Sequence, residues 1–97
     1  MSLLAPTPIT VTAGTPMPFD KAARRPGEKV FIDASGIGGG SLAVERDVAG
    51  TFVAYPDSPI TADGGFEARL TGGILKFTLT GGGPATVVIG SITEERR

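Results

Sequence analysis

Apolar and polar residues alternate along much of this chain, most clearly in two runs near its C-terminal end. Residues 66–70 and 75–80 place an apolar side chain at every second position, which is the period of a strand with one buried face. Gly72 and Gly73 lie between the runs, and glycine suits a tight turn whose central residues have positive φ. We therefore predict a β-hairpin here. Its predicted cross-strand pairs are Leu70 with Leu75, Ala68 with Phe77, Phe66 with Leu79 and, on the outer face, Arg69 with Lys76.

Five further segments have the composition of short strands. They are residues 9–12, 29–34, 41–46, 51–55 and 86–92. The segment 29–34 is apolar on both faces at its middle, which predicts a central strand or one with a covered outer face. Two prolines in residues 13–20 predict an irregular crossing, with Met17 and Phe19 closing one end of the core. In the loop of residues 56–65, Ile60 is predicted to point inward.

The spacing of these strands predicts the fold class. Fifteen glycines and eight prolines fall mainly between the apolar runs, and turn signals recur at roughly 8–12-residue intervals. This rhythm is typical of an all-β antiparallel β-sandwich of about seven strands, jelly-roll-like or immunoglobulin-like, and the pattern leaves both topologies open. We divide the chain into an extended Pro-rich arm (1–8), a single sandwich domain (9–93) and a charged tail (94–97).

Composition narrows the classes of function. The chain has 97 residues, a net charge of −1, and neither cysteine, histidine nor tryptophan. Disulfides and thiolate metal sites are therefore excluded, and the commonest general base near neutral pH is missing. Weak net charge predicts no nucleic-acid partner. Since no apolar run approaches a membrane span and no standard signal begins the chain, we expect a soluble protein without a membrane partner.

Several local motifs contain residue types that can support chemistry, but their sequence context does not. Residues 36–40 are rich in glycine and follow a strand, but a dinucleotide-binding turn also needs a helix after it, and residues 41–46 alternate like a strand. Asp57 and Asp63 flank one loop with oxygen ligands nearby, yet their spacing matches no calcium motif. The remaining carboxylates are spread over predicted loops and strand surfaces. We predict no catalytic residue, no metal and no cofactor, and hence no enzyme.

Three sets of residues are candidates for binding. Leu3, Leu4, Pro6 and Pro8 form a predicted subunit contact, with folding back onto the chain's own domain as the alternative. Tyr55 precedes a proline and is the candidate surface contact for a ligand such as a sugar. The basic cluster of Lys21, Arg24 and Arg25 favours a solvated loop over a site for phosphate or an acidic partner.

The order of elements in residues 51–92 carries a family resemblance. A strand ending in Tyr55-Pro56-Asp57 is followed by Gly64-Gly65, a glycine turn and the segment 76–81 with sequence KFTLTG. This arrangement resembles the small all-β structural proteins of tailed bacteriophages. The chain departs from their pattern at residues 47–50, where such proteins often have an Asp-Gly-Gly turn, and at Phe52, where they often have tryptophan.

The resemblance implies a function without catalytic residues. It implies a virion structural protein (a head-decoration, head–tail or tail component) that acts as a homo-oligomer, a trimer or larger, through contacts with itself and with other virion proteins. The implied location is the virion, after assembly in the host cytoplasm. The alternative is a monomeric immunoglobulin-like or carbohydrate-binding accessory module.

Overall fold

A computed structural model describes residues 5–20 and 27–92 and contains eight β-strands in them. The strands are β1 (Thr7–Val11), β2 (Met17–Phe19), β3 (Lys29–Ser35), β4 (Ser41–Val48), β5 (Thr51–Ala54), β6 (Gly64–Arg69), β7 (Leu75–Thr80) and β8 (Ala85–Ser91). No α-helix occurs in these described ranges. The strand β2 was missed by the sequence analysis, because its proline and three-residue length give too short a pattern to detect.

The strands form two four-stranded antiparallel sheets, which confirms the predicted β-sandwich. The sheets have the orders β1-β8-β3-β6 (sheet A) and β2-β7-β4-β5 (sheet B). Each of the pairs β1·β8, β2·β7, β3·β6 and β4·β5 joins strands equally far from the two ends of the chain. The chain is thus one long hairpin rolled into two sheets, the connectivity of a jelly roll. An immunoglobulin-like sandwich would instead have several sequential strands as sheet neighbours.

Among the eight strands of the described ranges, only one consecutive pair, β4 and β5, forms a tight hairpin. Ala49 and Gly50 join β4 to β5, and both have positive φ, at 53° and 88°. This is the backbone of the two-residue turn that matches the right-handed twist of a hairpin. The Asp47 carboxylate supports the turn by accepting a hydrogen bond from the Gly50 N–H at 2.8 Å.

The predicted hairpin through Gly72 and Gly73 is wrong. The strand β6 pairs with β3 in sheet A, whereas β7 pairs with β4 and β2 in sheet B. Leu70 and Leu75 both point into the core, but from opposite sheets. The predicted neighbours Arg69 and Lys76 are likewise in different sheets. Arg69 lies opposite Lys29 on β3, and Lys76 lies opposite Glu45 on β4, where their side chains are 3.5 Å apart.

The core lies between the sheets and is built from alternate residues of the strands. Phe77, Ile32 and Ile89 are fully buried at its centre, and burial of each such side chain contributes about 1.5–3 kcal/mol. The strand β3 lies between β8 and β6 and is central, as predicted. Ile60 is buried and bridges to Leu42, which confirms its predicted inward position.

The last two residues of the predicted N-terminal arm belong to a strand. Thr7 and Pro8, which the sequence analysis assigned to the arm, pair with Ile89 and Val88 as the first residues of β1. Leu3 and Leu4 lie outside the described residues, as do the basic cluster of residues 21–25 and the charged tail of residues 94–97.

Candidate functional surfaces

The glycine-rich loops at one end of the sandwich pack against each other. The Ile37 carbonyl accepts hydrogen bonds from the N–H groups of Gly40 (3.1 Å) and Gly83 (3.2 Å). A Cβ atom on Gly82 would overlap the same carbonyl, and one on Gly40 would overlap the carbonyl of Gly81. The glycines therefore permit a close approach of two backbones, and the Gly40 and Gly83 N–H groups are directed at the Ile37 carbonyl rather than at a phosphate.

The predicted ligand contact at Tyr55 is wrong, because the structure buries this side chain to 4 % exposure. Its hydroxyl donates a hydrogen bond to the Arg69 carbonyl at 3.1 Å. Its ring lies 5.9 Å from the Phe66 ring, and the Arg46 guanidinium carbon lies 4.6 Å from the ring centre. The sequence alone could not predict the burial of Tyr55, because its partners lie on β4 and on β6, the edge strand of sheet A.

The surroundings of Tyr55 also change its acidity. Burial raises the pKa of the Tyr55 hydroxyl above its usual value of 10.0, and the positive charge of Arg46 opposes part of that rise. A buried phenol is harder to ionise because the apolar surroundings disfavour the tyrosinate. Tyr55 is therefore a neutral structural donor at physiological pH.

A shallow open cleft of about 530 Å³ lies beside the loop that follows β5. Asp57, Thr61, Asp63 and Phe66 contribute to its lining. One Asp63 carboxylate oxygen already accepts a hydrogen bond from the Ile37 N–H at 3.2 Å. Among the described residues, no group of three or more acidic, histidine or cysteine side chains is placed to hold a metal ion.

The outer face of sheet A carries an apolar surface, which we call the Phe31 patch. Phe31 of β3 lies over Gly90 of β8, where a Cβ would approach both the Phe31 ring and Pro6 to about 3.0–3.1 Å. Pro8 and Val88 are paired neighbours on the adjoining strands. The patch thus includes Pro6 and Pro8, two of the four residues predicted to make a subunit contact, and both are exposed.

Two of the four edge strands are closed by proline. The Ile92 N–H donates to the Lys29 carbonyl at 3.0 Å, so the backbone groups of Ile92 point toward β3. Backbone groups of successive residues along β8 then point alternately toward β1 and toward β3. With the observed register, the backbone of Pro8 in β1 faces away from the sheet. The same alternation in sheet B places Pro18 of β2 at an outward position. A proline there offers no N–H to another strand.

The third edge, β6, is closed by charge and by Tyr55. The Leu70 N–H donates to the Glu28 carbonyl, so the backbone of Leu70 points toward β3. By alternation, the backbone groups of Gly65, Glu67 and Arg69 point outward. The Arg69 carbonyl is occupied by the Tyr55 hydroxyl, and the Glu67 carboxylate lies 3.8 Å from the Lys29 ammonium. Charged residues and a covering side chain are established ways of protecting a sheet edge.

The fourth edge, β5, has none of these features. Its sequence is Thr-Phe-Val-Ala, without proline or charge. The Tyr55 N–H donates to the Val44 carbonyl at 3.1 Å. Because backbone groups alternate in direction along a strand, those of Val53 also point toward β4, whereas those of Phe52 and Ala54 point outward. Val53 is 39 % exposed. Among the residues that the structure describes, none pairs with this outward side, so β5 is an open edge.

Comparison with known proteins gives no relative from which a function can be taken. No protein-family model and no curated protein matches the chain. No helix in the described ranges has the length and hydropathy needed to cross a membrane. The functional argument therefore depends on the surfaces described above.

Proposed function

We propose that this protein is a non-enzymatic structural component of a bacteriophage virion, in a head-decoration, head–tail or tail position. It assembles in the host cytoplasm and acts through symmetric contacts with copies of itself and with other virion proteins. The jelly roll is an architecture of viral capsid domains, but also of lectins and cupins. Because a fold alone does not determine function, the proposal depends on what the surface of this chain can bind.

The main support for the proposal is the Phe31 patch. An aromatic ring lying over a glycine and beside prolines presents a flat apolar surface with few rotatable side chains, so little entropy is lost when it is covered. Lys29, Asp33 and Glu67 occupy neighbouring outer positions of β3 and β6. An apolar centre with a polar rim is the usual composition of a protein–protein contact.

The direct test is mass spectrometry of purified particles produced by the genome that encodes this chain. We expect the chain to copurify with the particles in a fixed ratio to the major head or tail protein. Its recovery only in the soluble lysate would contradict the proposal.

The same assay tests the Phe31 patch. Phe31→Ser should reduce incorporation at least tenfold, because it removes the largest side chain of the patch. Phe31 is half-buried, and Val48→Ser is the control at an exposed apolar residue of the other sheet. Equal incorporation of the two variants would remove the Phe31 patch from the contact.

The N-terminal segment is tested by a deletion that spares β1. Removing residues 1–5 leaves Thr7 and Pro8 in their strand and should reduce oligomerisation, measured by size-exclusion chromatography with light scattering. The circular dichroism spectrum should keep its strand signal. An unchanged molar mass after the deletion would exclude this segment as a subunit contact.

A carbohydrate-binding module is the second candidate function, and the cleft beside β5 favours it. Asp57 and Thr61 supply oxygen atoms and Phe66 an aromatic ring, a combination suited to hydroxyl groups and the apolar face of a sugar. A glycan array probed with the wild-type protein and with Asp57→Ala tests this function. Binding that the variant loses would support the module, and no binding to any glycan would exclude it.

A further inference from the structure

We infer that β5 is a self-association edge, along which two copies of this chain pair their β5 strands antiparallel about a two-fold axis. The contact would join two copies of sheet B into one continuous eight-stranded sheet, since sheet B has four strands. The inference deepens the proposed function, because it names one of the self-contacts that a symmetric assembly requires. A two-fold contact closes on itself, so a larger ring or lattice would need a second contact as well.

The register of this pairing follows from the positions of the open backbone groups. Phe52 and Ala54 face outward, while Val53 between them bonds to β4. Residues that lie opposite each other in an antiparallel pair point their side chains to the same face of the sheet. In two identical strands, such residues are therefore an even number of positions apart, and the two-fold axis passes through the residue midway between them. With Val53 on the axis, Phe52 lies opposite Ala54 of the second copy. Each such pair exchanges two N–H···O=C bonds, and both outward residues of each copy are satisfied.

The side chains fit the same register. Phe52 lies opposite the small Ala54 of the second copy, which leaves room for its ring on the outer face. The two Val53 side chains meet at the axis, where a pair without backbone bonds brings Cα atoms to about 4.5 Å. Because β5 carries no charge, self-pairing opposes no like charges. Burial of the exposed Val53 adds apolar area to the contact.

The other three edges cannot pair as readily, which selects β5. Pro8 and Pro18 occupy outward positions of β1 and β2, and neither supplies an N–H. On β6 the Arg69 carbonyl is already bonded to Tyr55. Since β5 has only four residues, the area that it buries falls at the low end of protein interfaces. We therefore expect a concentration-dependent dimer rather than a permanent one.

Analytical ultracentrifugation of the full chain tests the contact. Over about a 100-fold range of concentration, the mean mass should rise from the 9.8 kDa of the monomer towards twice that value. Val53→Glu should keep the protein monomeric, because two carboxylates would meet at the axis. The fold should survive, since the new carboxylate lies opposite Arg46, whose Nε is buried without a hydrogen-bond partner in the described residues.

Two further variants make the test specific. Val48→Glu is the matched control, because Val48 is 41 % exposed on the same hairpin but lies one strand back from the edge; it should associate like the wild type. Val53→Lys should also be monomeric. A mixture of Val53→Glu and Val53→Lys should regain the dimer, because opposite charges then meet at the axis.

Amide hydrogen exchange reports the register directly. The N–H groups of Phe52 and Ala54 should exchange rapidly in dilute solution and become protected as the concentration rises. The Val53 N–H, already bonded within the sheet, should change little. A wild-type protein that stays monomeric throughout, or a Val53→Glu variant that associates like the wild type, would overturn the inference. Incorporation into particles is measured separately, so failure of the β5 contact leaves the virion proposal to be decided by mass spectrometry.

Discussion

The two lateral sides of this sandwich protect their strands by different means. On the side of β1 and β2, Pro8 and Pro18 occupy outward positions and remove the N–H groups that another strand would use. On the side of β5 and β6, β5 is open, and β6 is protected by its charged residues and by a tertiary contact in which Tyr55 bonds to the Arg69 carbonyl. Proline protects an edge through its own covalent structure, whereas Tyr55 protects one only while the side chains around it stay packed. Mutations should therefore affect stability far more on the second side.

The largest expected effect is that of Tyr55→Ala. This substitution removes a buried ring, its contacts with Phe66 and Arg46, and the bond to Arg69. We expect the free energy of unfolding to fall by about 3–4 kcal/mol, measured by urea denaturation followed by far-ultraviolet circular dichroism. Phe52→Ala is the control, because it removes a half-buried ring from the neighbouring position of the same side and should cost about 1 kcal/mol. Equal losses for the two variants would show that Tyr55 does not close this side.

The next effect is that of Gly73→Ala, in the link that ties β6 and β7 to the β4–β5 hairpin. A Cβ on Gly73 would lie 2.7 Å from both the Cβ and the carbonyl oxygen of Asp47, and the Thr71 hydroxyl also bonds to that oxygen at 3.1 Å. We expect a loss of about 2 kcal/mol, because backbone on both sides must move. Gly50→Ala has open space around it but keeps a φ of +88°, so it should cost only about 1 kcal/mol. Denaturation of both variants compares steric overlap with backbone strain, and a larger loss at Gly50 would reverse this explanation.

The links that contain Gly50 and Gly73 explain why the strands could be predicted from the sequence and their pairing could not. The alternation of residues 66–70 and 75–80 correctly identified which side chains pack in or against the core, because a two-residue period depends only on the strand itself. The pairing of these strands was wrong, because Gly73 is present to let Asp47 approach and not to form a turn. The true hairpin turns at Ala49-Gly50, where one residue with positive φ is not glycine. A local pattern therefore identifies strands better than their partners.

The surfaces were harder to predict than the fold for a related reason. Tyr55 next to Pro56 has the sequence context of an exposed loop residue, but its burial depends on Phe66 and Arg69, which follow in a different sheet. The open edge of β5 depends on which strands occupy the sheet centres, so strand order must be known before it can be recognised. Pro6 and Pro8 were selected from sequence alone as contact residues, and both are exposed on one edge of sheet A.

A smaller effect is expected from Tyr55→Phe, which keeps the ring and removes only the hydroxyl. At neutral pH we expect a loss of about 1 kcal/mol, because the Arg69 carbonyl loses its partner. Burial raises the pKa of the Tyr55 hydroxyl, so the unfolded chain ionises first as the pH rises. The wild type should therefore lose stability from about pH 10 upward, and the difference between the two proteins should shrink there.

The measurement for Tyr55→Phe has an internal check. Tyr55 is the only tyrosine in the chain, so the ultraviolet absorbance of tyrosinate follows this residue alone. The folded protein should titrate at higher pH than the protein in denaturant. Coincident titration curves would show that the hydroxyl is not desolvated, and the pH dependence of unfolding should then be the same in both proteins.

The smallest effect on stability is expected from Pro8→Thr, on the side protected by proline. The new N–H points outward into solvent and breaks no ladder bond, so the free energy of unfolding should change by no more than about 0.5 kcal/mol. Self-association should nevertheless increase, because β1 would regain a donor at an edge where Thr10 already offers one. Light scattering during incubation at high concentration measures this effect, and Thr10→Ser, which leaves the backbone unchanged, is the control. If Pro8→Thr scatters no more light than Thr10→Ser, proline is not what keeps this edge closed, and the contrast between the two sides would have to depend on side-chain packing at both of them.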